Sequence, residues 1–340
     1  MHPCQPGRIH HFELESLPSG EWGYLHFPVT ARYARTLGLD CMGMTGKFHT
    51  EWGDFHSLKN QAALEFECFR MLSYGYAVSI GDQLELWGFE SGCYQLIGKV
   101  FHQLKEREAW ARPSKALVEA ALVTSEPIPC EHQIPESVFG AVQLLEELAL
   151  QFDVVDLEAP LDQYSLVILP DDLAVTPEYQ RKLNDYAAKG GKIIACAKGG
   201  LNSENAYPDC FGASYQGKEN LWPSFLLPRG PMAKGLAENN EYVIYLQGER
   251  IIPAEAKPFS HCASRISAGQ ASIFVPTSTL PPQRAPNSRR LSGMETLLCS
   301  RIPCLPNTAK MPLSGANGSY PTPLICFCQK DWSATTALPL

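Results

Sequence analysis

Lys47, His49, Glu51, Trp52, Asp54 and His56 fall within ten residues of one another. An ammonium, two imidazoles, two carboxylates and an indole in one stretch can hydrogen-bond hydroxyls, exchange protons and stack on a flat ring. Those are the needs of carbohydrate chemistry. Cleaving a glycosidic bond takes two carboxylates flanking the scissile oxygen, about 5–5.5 Å apart for retention and about 6.5–9.5 Å apart for inversion. The candidates are Glu15, Asp54 and Asp82, with Glu51 behind them. Each also reads as a helix cap or as the partner of a lysine, and spacing alone does not divide them into acid and nucleophile. Lys47 and His49 lie two residues apart near a strand end, so both can reach the same side. Trp22 and Trp52 offer flat apolar area for a sugar ring, or fold onto their own loops.

The elements that must position these residues are read from periodicity. Residues 41–48 are short and apolar with two glycines, as in a buried parallel strand. From Leu58 the spacing turns helical through Leu72, with Ser57 as the expected N-cap. His11–Ser16 alternates as a strand ending in acids. Val29–Leu37 reads as a short helix closed by Gly38, Tyr76–Ile80 as a strand, and Tyr94–Trp110 as a helix with Leu96, Ile97, Val100, Phe101 and Leu104 on one stripe. Residues 12–110 thus read β-α-β-α-β-α, which fits a doubly wound sheet or a slice of a barrel whose strand-end loops carry the chemistry.

A second α/β pattern begins at Pro113. It has strands at Glu119–Val123, Phe152–Val155, Leu166–Pro170 and Lys192–Ala197. Its helices are Pro135–Leu150, with Val138, Val142, Leu145 and Leu148 inward, and one from Thr176-Pro177 to Ala188. This is a flavodoxin-like start. Residues 199–238 read as loop, and Tyr242–Leu246 as the last strand. Cys196 ends a strand with alanine on both sides and reads as a small buried residue. Gly190-Gly191 precedes a strand, the wrong order for a phosphate loop.

The net charge of −8 argues against a nucleic-acid partner. No apolar run reaches the roughly 18 residues that cross a bilayer, and no leader pattern opens the chain. Its 12 cysteines show no metal-like spacing, His10 and His11 read as exposed, and free thiols in a reducing cytoplasm are expected. No metal and no cofactor is called for. The tail after Ala256 carries +6 against −14 for the preceding residues, with 11 of the 27 prolines. Its lack of periodicity reads as disorder or a slipped reading frame.

Residues 13–28 (ELESLPSGEWGYLHFP), 43–72 (GMTGKFHTEWGDFHSLKNQAALEFECFRML) and 79–84 (SIGDQL) resemble the end of a glycoside hydrolase barrel. They are similar to α-L-fucosidase-like and β-galactosidase-like enzymes that carry a β-galactosidase trimerisation domain. The resemblance implies α/β architecture. Residues 1–112 would be the last three βα units of a TIM-type barrel, and 113–256 a class I glutamine amidotransferase-like trimerisation domain, with 257–340 as the irregular tail. It implies a retaining O-glycosyl hydrolase acting on a fucoside or galactoside without metal or cofactor, assembled as a homotrimer. The sequence departs from that pattern by lacking five βα units and the C-terminal β domain. A non-catalytic fragment serving self-association or sugar binding is the alternative.

Overall fold

The computed structural model describes residues 10–51, 53–54, 56–83, 91–125, 134–220, 223–228, 233–237, 240–254, 260–264 and 327–328. Among these, one compact unit takes the residues of Met1–Ala120, Glu126–Ile134 and Val138–Asp156. The other takes those of Ala121–Ser125, Pro135–Ser137 and Leu157–Leu340.

In the first unit, β1 (His11–Glu15), β2 (Asp40–Gly46) and β3 (Ala77–Gly81) form a parallel sheet in that order. Helices α1 (His26–Ala34), α2 (Gln61–Ser73) and α3 (Ser91–Ala111) follow them in turn. Alternate strand residues meet the helices. Phe12, Leu14, Cys41 and Val78 pack with Phe27, Ala31, Ala34, Met71 and Tyr76, while Val78 and Ile80 meet Leu64, Cys68, Leu72, Val100 and Leu104. Each such side chain removed from water contributes about 1.5–3 kcal/mol. Gly43 lies where a Cβ would come within 2.6 Å of Met71 Cγ and 2.8 Å of Phe27 Cε2, so only glycine lets α1 and α2 close on β2.

Three expectations need correction here. Helix α1 starts at His26, earlier than the periodicity suggested, and ends in a 3₁₀ turn closed by left-handed Gly38 (φ 76°). The α2 cap is Asn60, whose side chain accepts from the Ala63 N–H, and not Ser57. The chain stays extended through Lys59 because that residue is pulled inward, as described below. On α3 the buried stripe is narrower than expected, since Phe101 is exposed.

Next come β4 (Ala120–Val123), α4 (Glu136–Glu147) and β5 (Phe152–Val155). Val138, Val142 and Leu145 are buried as expected, but Leu148 lies past the helix end and is exposed. Glu146 ties α4 to α1 and α2. Its carboxylate accepts from Arg32 at 2.9 Å and from Arg70 at 2.6 and 2.7 Å. Arg35 donates to Asp153 and to the Phe152 carbonyl, both at 2.6 Å, and the Arg32 guanidinium sits 4.1 Å over the Phe152 ring. The first packing unit therefore extends well past residue 112.

In the second unit, β6 (Leu166–Leu169), α5 (Pro177–Ala188) and β7 (Lys192–Ala195) form a parallel βαβ turn, with strands ordered β7-β6-β4. Thr176 caps α5 by accepting from the Tyr179 N–H, with Pro177 in the first turn, as the sequence implied. Cys196 is buried. The stretch read as loop and its surroundings instead hold antiparallel strands. β8 (Ala213–Lys218) pairs with β11 (Glu249–Pro253), and β9 (Ser224–Pro228) lies between β10 (Tyr242–Ile244) and β12 (Ser260–Ser264). Tyr215 is the one large apolar residue of β8, too little for a period-two signal. β12 lies beyond the charge break at 256; the rest of the tail, apart from Phe327–Cys328, is outside the described residues.

Removing the α2 cap with Asn60→Ala is expected to lower stability by about 1 kcal/mol in urea unfolding, whereas Ser57→Ala should leave α2 amide protection unchanged.

Candidate functional site

Parallel pairing sets Glu15, Met44 and Ser79 side by side in one row, and Glu13, Met42 and Ala77 in the next. Their neighbours Leu14, Cys41 and Val78 point to the helices, so the glutamates occupy the opposite face of the sheet. Glu15 is half-buried at the carboxyl end of β1 and makes no hydrogen bond or ion pair among the described residues. The backbone continues the ladder past β1, with the Ser16 N–H on the Met44 carbonyl at 2.8 Å.

The loop after β2 closes at a neck. The Lys59 N–H donates to the Lys47 carbonyl at 2.8 Å, and the His49 N–H to Ser57 Oγ at 2.6 Å. Both neck lysines are buried, and each meets a carboxylate. Lys47 Nζ lies 3.1 Å from Asp82 Oδ1, just beyond β3, and Tyr94 of α3 donates to Asp82 Oδ2 at 3.0 Å. The Lys47 contact is ionic rather than an aligned hydrogen bond, since Oδ1 accepts no donor in good geometry. Partial burial and the Asp82 hydrogen bond push the Tyr94 phenol up. Lys59 Nζ donates to Glu67 Oε2 at 2.6 Å and to Thr45 Oγ1 at 2.9 Å, and the Thr45 hydroxyl donates to Glu67.

Within the loop, Asp54 braces a turn. The Thr50 hydroxyl and then the Glu51 N–H hold its carboxyl below the usual range. His49 is exposed, with its backbone rather than its ring in the loop hydrogen bond. Trp22 is 41% exposed and packs against His26 with the rings tilted by 52° and 4.9 Å between their centres. His26 Nδ1 lies 3.1 Å from Ser16 Oγ, and burial lowers its pKa below the ordinary 6.5. Trp52 lies outside the described residues. Of the residues singled out from sequence, the structure therefore brings Lys47 and Asp82 into contact and leaves Glu15 uncommitted, while Asp54 is engaged in its own loop. No cluster of metal-ligating side chains occurs among the described residues.

Thr45, Lys59, Glu67 and Tyr94 are not among the residues singled out from sequence. One signal was available. Glu67 falls in the buried α2 series Leu64, Glu67, Cys68 and Met71, where a lone carboxylate has to find a cation.

Lys47→Met strands the Asp82 carboxylate and is expected to cost about 3–5 kcal/mol, while Lys47→Met with Asp82→Leu regains most of it, measured by urea unfolding. His26 gives a pH dependence. Its folded pKa is depressed, so the unfolded chain takes up the proton first. Stability is full above pH 6.5 and falls as pH drops below that toward the folded value. His26→Gln should flatten the change in unfolding midpoint between about pH 7.5 and pH 5.5.

Residues 132–272 match the β-galactosidase trimerisation domain family. Among solved structures, α-L-fucosidase isoenzyme 2 from Paenibacillus thiaminolyticus is 34% identical with a TM-score of 0.73, over 81% of this chain and 43% of its own. The β-galactosidase from Rahnella sp. R3 is 15% identical with a TM-score of 0.60, over 75% of this chain and 44% of its own. That from Bacillus circulans sp. alkalophilus is 15% identical with a TM-score of 0.58, over 74% and 45%. The last two show the fold alone. No curated protein matches the sequence. The chain spans less than half the length of each of these structures, and no helix among the described residues is long and apolar enough to cross a membrane. Residues 132–272 thus match the β-galactosidase trimerisation domain, and the chain resembles the C-terminal part of a glycoside hydrolase of the α-L-fucosidase-like and β-galactosidase-like type.

Proposed function

We propose that this chain is the C-terminal portion of a retaining glycoside hydrolase that cleaves O-glycosyl bonds, with a fucoside or galactoside as substrate. Its first three βα units would be the last three of a TIM-type barrel, and the α/β domain after them a flavodoxin-like module that assembles the protein as a homotrimer in the cytoplasm. The observation that carries the reading is the parallel β1-β2-β3 register, which delivers Glu15, Lys47 and Asp82 at the carboxyl ends of adjacent strands. That end of a βα barrel is where substrates bind.

The roles follow from the partners each residue already has. Glu15 is the carboxylate free to act on substrate. Asp82, paired with Lys47 and Tyr94, orients that edge of the pocket. Asp54, kept ionised by Thr50 and Glu51, shapes the loop and offers charge to the sugar. His49, Trp22 and Trp52 would supply hydrogen bonding and stacking to the substrate. Lys47, fully buried, contributes its field more than direct contact. The match to an α-L-fucosidase at 34% identity supports the fucoside, and the match of residues 132–272 to the β-galactosidase trimerisation domain family supports the galactoside.

A second reading is a non-catalytic module for self-association. It is favoured by the share of carboxylates already committed to internal partners, which leaves Glu15 as the uncommitted candidate among Glu15, Asp54 and Asp82.

Aryl α-L-fucoside and aryl β-galactoside, offered to the purified chain, separate the two. Under the enzyme reading one of them turns over, and Glu15→Gln lowers kcat by about 10²–10⁴-fold. Absence of turnover on both, with a trimeric mass by sedimentation equilibrium, selects the association module.

A further inference from the structure

The loop that carries His49 and Asp54 hangs between two buried ammonium groups, Lys47 at its entry and Lys59 at its exit. Only the first faces a residue assigned to the pocket. Lys59 turns to the helix side of the sheet, where it is 2% exposed and Glu67 is 3% exposed. Three groups there form a closed ring of hydrogen bonds: Lys59 to Glu67, Lys59 to Thr45, and Thr45 to Glu67. Proton counting fixes the direction of each. The Thr45 hydroxyl has one proton, given to Glu67, so its lone pair must take the Lys59 proton. The ring closes only when Lys59 sits at one position along the chain.

That position sets the loop exit. The Lys59 N–H is bonded to the Lys47 carbonyl, and the next residue, Asn60, caps α2. A shift of one residue would break the ring, the neck and the cap together. We propose that Thr45, Lys59 and Glu67 are a buried latch whose role is to fix the register of loop 48–58, making them positioning residues for the carbohydrate site. The proposal rests on the reading of that loop as part of a sugar pocket, but the latch itself is testable without turnover.

Buried ion pairs replaced as a whole by apolar groups of similar volume often leave stability unchanged. A latch that served the fold alone would then be dispensable without trace. Apolar contacts carry no unique register, so a latch that serves the loop would not be. The variant Thr45→Val, Lys59→Met, Glu67→Leu is compared with the parent chain and with the conservative Thr45→Ser, by amide hydrogen exchange and by aryl glycoside kinetics. The expected result is an unchanged unfolding midpoint and unchanged protection in β2 and α2, with the amides of His49, Glu51 and Lys59 exchanging at least about tenfold faster. KM should rise severalfold with kcat nearly constant, and Thr45→Ser should behave as the parent. Retained loop protection in the triple variant overturns the proposal. Faster exchange spread equally through β2 and α2 also overturns it, because the groups then hold the fold rather than the loop. Loss of loop protection in the triple variant, when the parent chain turns over neither glycoside, supports the latch while removing the sugar-pocket reading on which its catalytic meaning depends.

Discussion

Burying an ammonium without a counter-charge costs several kcal/mol even after relaxation. This chain buries two of them within twelve residues of each other, and the geometry of its candidate site follows from how they are answered. Lys47 is met by Asp82 from the turn after β3, so the second and third strand ends are drawn together. Lys59 is met by Glu67 from α2, so the loop exit is drawn onto the helix that follows it. The loop between has little choice of path. Its own internal bonds, from Ser57 to His49 and from Asp54 to Thr50 and Glu51, then add detail to a frame already set at the neck.

The same economy governs the rest of the first unit. Gly43 removes a side chain so that Met71 and Phe27 can meet over β2, which brings α2 close enough for Glu67 to reach Thr45 across the sheet–helix boundary. Packing and charge are therefore not separate layers here. The close approach that the glycine permits is what lets the carboxylate find its cation, and the cation in turn holds the loop that carries Asp54 and His49.

Much of this was legible beforehand where a single force decides the outcome. The helical spacing from Leu58 to Leu72 gave α2, and Thr176-Pro177 gave the start of α5, because apolar burial and capping act over a few residues. The α2 cap was misplaced at Ser57 because Ser57 has the right chemistry, and only the tertiary pull on Lys59 moves the start to Asn60. Lys47 was read as a sugar contact or an ion-pair partner; the buried Asp82 from another strand end decides which it makes within the chain. Glu15 was placed correctly at a strand end, but the row it shares with Met44 and Ser79 emerges only once the sheet register is known. Of the antiparallel strands from Ala213 to Ser264, β10 was legible at Tyr242–Leu246, while β8, β9, β11 and β12 were passed over because each is short and finds its partner far away in sequence. Trp22 was seen as a flat apolar surface, and its tilted contact with His26 depends on a turn that periodicity does not encode.

The fork of Arg32 and Arg70 on Glu146, with Arg35 on Asp153, has a bearing on how such a protein can be taken apart. Severing the chain at residue 112, where one α/β pattern gives way to the next, would leave three guanidiniums packed against aromatic rings with their anions gone. A piece meant to fold autonomously has to run through Asp156, which accepts from Tyr33.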